Sequence, residues 1–172
     1  MKIKILILSI AFLCSYSIIA QKMIPPTNSL QVTGKVANPT TFTLTDLEAF
    51  PKTAIKDLTL FNHKGEAKHT LTGIQGVPVK EVLASIKYIY DNPKVLNEFY
   101  FVFIASDGYK VVFSWNEIYN TDTGNNLFIV TEMEGKKLKE LDQRILSIST
   151  ADMKTGRRYI KGLEKIEVRQ IE

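Results

Sequence analysis

Phe99-Tyr100-Phe101-Val102-Phe103-Ile104-Ala105, followed by Ser106-Asp107-Gly108-Tyr109 and then Val111-Val112-Phe113, is the stretch that decides the fold. Seven residues with apolar character on both faces read as a central strand covered from two sides. Asp107-Gly108 is hairpin turn chemistry, so the chain is expected to return antiparallel through Val111 to Phe113. Working outward, Leu30, Val32 and Val36 alternate, as do Ile145, Ser147, Ser149 and Ile166, Val168. Each set reads as a half-buried strand. Short helices lie between them. Thr45 and Glu48 have capping-box spacing ahead of Pro51, and Ser114 and Glu117 repeat it. Pro78 opens a helix whose Val79, Val82, Leu83 and Ile86 form one apolar stripe. Strands outnumber helices, and the expected class is α+β: a mixed, mostly antiparallel sheet with short helices.

The chain has 172 residues, a formal charge of +4, two histidines and one cysteine. Lys2 and Lys4 precede an apolar run from Ile5 to Leu13, with Ile18 and Ala20 at positions suited to signal peptidase. Residues 1–20 therefore read as a secretory signal peptide. Ser9, Ser15, Tyr16 and Ser17 interrupt the run before the roughly 20 apolar residues that a membrane span needs. Bulky Leu13 ahead of Cys14 argues against lipidation, so no stable membrane anchor is expected. Residues 21–29, with Pro25 and Pro26, read as a flexible lead-in, and residues 30–172 as one domain with a sizeable core. Removing the leader discards two lysines, no acid and the only cysteine. What remains has neither a disulfide framework nor a thiolate. Lysine and glutamate are interspersed and basic–aromatic clusters are lacking, which argues against nucleic acid as a partner.

Generic catalytic and nucleotide-binding motifs are absent from the sequence. His63 and His69 flank Lys64-Gly65-Glu66, a hairpin tip across which two imidazoles would face each other, with Glu66 the only further ligand nearby. That falls short of a firm metal site. Tyr88, Tyr90, Tyr100, Tyr109 and Tyr119 are candidates for a pocket wall, and Asp107 with Gly108 for a binding loop. The segment Gly156-Arg157-Arg158-Tyr159-Ile160-Lys161-Gly162-Leu163 holds two of the four arginines. Arg158 and Lys161, three apart, are placed to grip one anion, with Arg157 further out.

Several segments together resemble a known family. Gly73 to Leu83, Ala105 to Tyr109 with Phe113 to Glu117, Gly135 to Leu138, and Gly156 to Leu163 stand in the order seen in the molybdopterin-binding domain of sulfite-oxidase-type oxidoreductases. The resemblance covers most of Leu30 to Ile171 and implies that mixed α+β fold. It also implies that Gly156, Arg158 and Lys161 correspond to residues that hold the pterin cofactor, and that Arg157, His63, Asp107 and Tyr109 border the same cleft. Catalytic members ligate molybdenum through a cysteine ahead of the Gly-Val-Pro helix, and Leu58 to His63 has none. The leader has no arginine, the first being Arg144, so the twin-arginine export that a preloaded cofactor requires is not indicated. The expectation is thus an exported, non-catalytic binding or accessory domain, periplasmic or extracellular, that takes a small anionic ligand or a protein partner and has no resident cofactor. Molybdopterin enters by resemblance alone. The alternatives are a molybdopterin-dependent oxidoreductase with an unusual metal ligand, and a structural interaction domain.

Overall fold

A computed structural model describes residues 23–171. The expected signal peptide, residues 1–20, lies outside them. Two sheets face each other. The first runs β2 (Thr40–Thr43), β1 (Ser29–Gly34), β13 (Leu163–Gln170), β7 (Phe99–Ala105), β8 (Lys110–Ser114). The second runs β12 (Ile160–Lys161), β11 (Leu146–Ser149), β9 (Leu127–Met133), β6 (Ile74–Pro78), β3 (Thr53–Ile55), with β10 (Lys136–Lys137) beside β9. A separate hairpin pairs β4 (Leu58–Phe61) with β5 (Ala67–Leu71). The strand pairings are antiparallel except that of β1 with β13, which makes the first sheet mixed. This agrees with the α+β expectation.

The main core lies between the two sheets. Phe99, Phe101 and Phe103 of β7 meet Leu127 and Ile129 of β9 there, together with Val79, Val82 and Leu83 of the one-turn helix α2 (Val79–Leu83). Ile86 continues the same buried stripe just beyond the helix end. A second core forms on the other face of the six-stranded sheet, where Phe128, Val130, Leu146 and Ile148 are covered by Leu58 and Leu71 of the β4–β5 hairpin. The strands buried on both faces are therefore β9 and β11. The expectation for Phe99–Ala105 needs correction: β7 is internal to its sheet, but Tyr100 and Ile104 on its outer face remain partly exposed. Ile145, Ser147 and Ser149 likewise belong to a strand region buried throughout rather than on one side.

Gly108 takes the expected turn with φ +87°, a conformation that costs glycine little. Helix α1 (Leu44–Ala49) starts two residues before its predicted box: Thr43 caps it, accepting from the Asp46 amide at 3.2 Å while Asp46 accepts from the Thr43 amide at 2.8 Å. Helix α3 (Trp115–Tyr119) uses the expected Ser114–Glu117 box. The described part of the lead-in is docked rather than loose, through Pro25, Thr27 and Asn28. Ser106 donates to the Pro25 carbonyl at 2.6 Å, buried Thr27 donates its amide to the Gln143 carbonyl at 3.3 Å, and Arg144 bonds Asn28. No described helix is long and apolar enough to cross a membrane.

Candidate functional site

A cleft of about 460 Å³ opens where the tip of the β4–β5 hairpin meets the 3₁₀ turn Thr155–Arg157. Its position follows from one buried hydroxyl. Thr155 Oγ1 donates to the Thr59 carbonyl at 2.7 Å and accepts from the Phe61 amide at 3.0 Å, which fastens the turn to the last residues of β4. The turn then passes so close that a Cβ on Gly156 would sit 2.6 Å from the Phe61 carbonyl oxygen. Only glycine allows that approach without moving backbone. On the far side Tyr109, just after the β7–β8 turn, donates its hydroxyl to the Arg157 carbonyl at 2.6 Å. Leu60 and Phe61 contribute apolar surface, and Lys68, His63 and Arg157 stand at the rim.

His63, Tyr109, Gly156 and Arg157 are thus brought to one cleft. Arg157 has no side-chain hydrogen bond or ion pair among the described residues, whereas Lys68 pairs with Glu66 at 3.1 Å. Asn62 is spent on the hairpin loop: its Oδ1 accepts from the Lys64 and Glu66 amides, both at 3.0 Å. Lys154 donates to the His63 carbonyl at 2.9 Å. Asp107 accepts the Tyr109 amide at 2.9 Å and so shapes the turn beside the cleft.

Arg158 and Lys161 do not share an anion site. The Arg158 guanidinium donates to Asp152 through Nε at 2.7 Å and through Nη2, and to Glu117 through Nη1 at 2.9 Å, with Cζ 4.7 Å from the Phe113 ring centre. Hydrogen bonding to Asp152 heads the causes that raise its pKa, and burial opposes them. Two carboxylates on one guanidinium leave the group net negative, so it repels an anion. Lys161 points elsewhere, its ammonium 5.2 Å from the Tyr159 ring centre in a different cavity. The histidines also separate. His69 is opposite Leu60 in the hairpin register and pairs with Glu134 at 2.6 Å, away from His63 in the loop.

Tyr88 and Tyr119 join hydroxyl to hydroxyl at 2.7 Å among Phe101 and Trp115, and burial pushes both phenols above their ordinary pKa. They pack α3 onto the sheet rather than line the cleft. Tyr90 is exposed, and Tyr100 borders a wider groove of about 840 Å³ on the outer face of the first sheet. That groove is larger than the cleft, and of the motif segments it touches only Ser114.

The cleft residues do not fit molybdopterin. The stretch that by resemblance would supply a thiolate ends in Phe61, Asn62 and His63, Arg158, which the resemblance assigns to pterin binding, is held by two carboxylates, and the described residues contain no group of three metal-ligating side chains. Residues not marked in the sequence are Lys68, Leu60, Phe61 and the positioning Thr155. The β5 alternation that turns Lys68 toward the cleft was the available signal for the first.

No family model matches the chain, and no curated protein does. Solved structures do resemble it, and they place it in a class by shape: a distant, sulfite-oxidase-like fold. One is the crystal structure of the sulfane dehydrogenase SoxCD from Paracoccus pantotrophus, with a TM-score of 0.58 and 15% identity over 84% of this chain. The match spans only 39% of the SoxCD chain. At that identity the likeness concerns the fold alone.

Proposed function

We propose that the protein is an exported, non-catalytic binding domain whose cleft at the β4–β5 tip takes a small anionic ligand. Export rests on the leader read in residues 1–20, and on that reading the mature chain starts at Gln21 in the periplasm or outside the cell. The cleft reading is carried by one observation: Arg157, whose side chain has no partner among the described residues, stands with Lys68 and His63 over the apolar surface of Leu60 and Phe61. A guanidinium offers a flat fork of donors suited to phosphate or carboxylate. The Tyr109 bond to the Arg157 carbonyl holds the base of that fork in place. An aromatic phosphate matches both halves of the cleft, with its charge on Arg157 and its ring on Phe61 and Tyr109. The donor set argues against redox catalysis by molybdopterin.

Calorimetric titration of wild type and Arg157→Ala with a pterin phosphate and with inorganic phosphate tests this. A charge-assisted hydrogen bond contributes about 1.5–3 kcal/mol, so Arg157→Ala should weaken binding about tenfold or more. Equal affinity in the two proteins, or no binding by wild type, overturns the proposal.

A further inference from the structure

Consecutive residues on β5 face opposite ways, so while Lys68 turns to the cleft His69 turns to a second cavity behind the hairpin. This cavity, about 180 Å³, is walled by β5, the β9–β10 turn, the loop before β11, and β12. Each of its carboxylates has one partner, Glu134 the His69 ring at 2.6 Å and Asp142 the Lys136 ammonium at 3.4 Å. Its donors differ. The Lys161 ammonium has no carboxylate partner among the described residues and lies over the Tyr159 ring, and the Tyr159 hydroxyl has no hydrogen bond among them. Both side chains are partly buried, while their donor atoms stay open to the cavity and so are free to meet a ligand. Burial, followed by the charge of Glu134, pushes the Tyr159 phenol up to about 12, so it is a neutral O–H donor at neutral pH. Buried Leu71, Met133, Leu141 and Leu146 supply the apolar part of its lining.

We propose that this cavity is a second binding site, independent of the cleft, for a short aliphatic monocarboxylate whose charged end is held by Lys161 and Tyr159. The tail lies against Leu71, Met133, Leu141 and Leu146. Glu134 and Asp142 at the wall set the charge of the ligand: they oppose a dianion such as phosphate and tolerate a single negative charge neutralised by Lys161. The volume sets its length. At roughly 30 Å³ per water, the cavity corresponds to about six waters, the size of a four-carbon carboxylate.

Butyrate is the probe, titrated by calorimetry into the folded chain, with inorganic phosphate and butylamine as comparators. Wild type is expected to bind butyrate saturably and to reject both comparators at this site. Lys161→Met should weaken butyrate about tenfold or more, and Tyr159→Phe several-fold, each lost bond being charge-assisted. Near-ultraviolet circular dichroism checks that each variant is folded, and Tyr159→Phe keeps the ring if Lys161→Met does not fold. Arg157→Ala should leave butyrate affinity unchanged, which separates this site from the cleft. No saturable binding by wild type, equal affinity in folded Lys161→Met and Tyr159→Phe, or phosphate competing for the same site would each overturn the proposal.

Discussion

Replacing Arg158 with alanine tests whether this residue is a structural tie or a ligand contact. The side chain is 21% exposed and its partners Asp152 and Glu117 are 11% and 38% exposed. Alanine removes the two-bond grip on Asp152, the bond to Glu117 and the stacking on Phe113. Glu117 retains an alternative, because its other oxygen accepts from the Ser114 amide at 2.8 Å and hydroxyl at 3.0 Å. Asp152 is left nearly buried, with the Ser149 hydroxyl at 2.9 Å as its remaining side-chain bond. Breaking a fully buried pair from one side costs about 3–5 kcal/mol. Partial exposure here lowers the expectation to about 2–4 kcal/mol. For a domain of this size that corresponds to a fall in Tm of about 4–16 °C. Urea unfolding and calorimetry on wild type, Arg158→Ala and Arg158→Ala/Asp152→Ala provide the measurement, with Arg157→Ala as an exposed control expected within about 0.5 kcal/mol. The double variant should recover part of the loss, since it removes the stranded carboxylate. A loss for Arg158→Ala no larger than that of Arg157→Ala would refute the tie and return Arg158 to the list of available anion contacts.

Gly156→Ala drives a Cβ against the Phe61 carbonyl, so the 3₁₀ turn must lift off β4; it should destabilise by about 1–3 kcal/mol and abolish pterin phosphate binding in calorimetry. Tyr159 supplies a pH test. Its pKa rises from the ordinary 10 to about 12 in the fold, so its contribution to stability is complete below pH 10 and is lost as pH climbs through 12. Urea midpoints of wild type should therefore fall across that window relative to Tyr159→Phe, and a constant difference would contradict the burial of the phenol.

The β7–β8 hairpin was legible because two signals agree locally, an apolar run and an Asp-Gly turn. Residues Leu127 to Val130 were harder: a continuous apolar run of four fits a buried strand or a buried helix turn, and only the pairing of β9 with β6 and β11 decides it. The α1 box was misplaced because Thr43–Asp46 and Thr45–Glu48 both satisfy the spacing while Pro51 fixes only the end. Which face of β7 is covered depends on what packs across the sheet, and no stretch of one strand records that. The lead-in read as flexible for a similar reason. Its anchors Ser106 and Gln143 are about eighty and over a hundred residues away in sequence.

Arg157 and Arg158 show why adjacent residues of one type cannot be assigned by composition. The turn ending at Arg157 leaves that side chain exposed over the cleft, while the next residue turns inward toward carboxylates six and 41 positions away in sequence. A motif that marks both as basic is blind to this division, because the carboxylates lie outside it. The same division explains how the cleft keeps its shape without a metal ligand. Thr155 fastens the turn to β4, Gly156 permits the close approach, and Tyr109 holds the Arg157 carbonyl. None of these contacts passes through Arg158, Lys161 or a thiolate. The opening is therefore built by backbone and hydroxyl bonds within the chain, so that the anion binding proposed for Arg157 would need no rearrangement of the cleft.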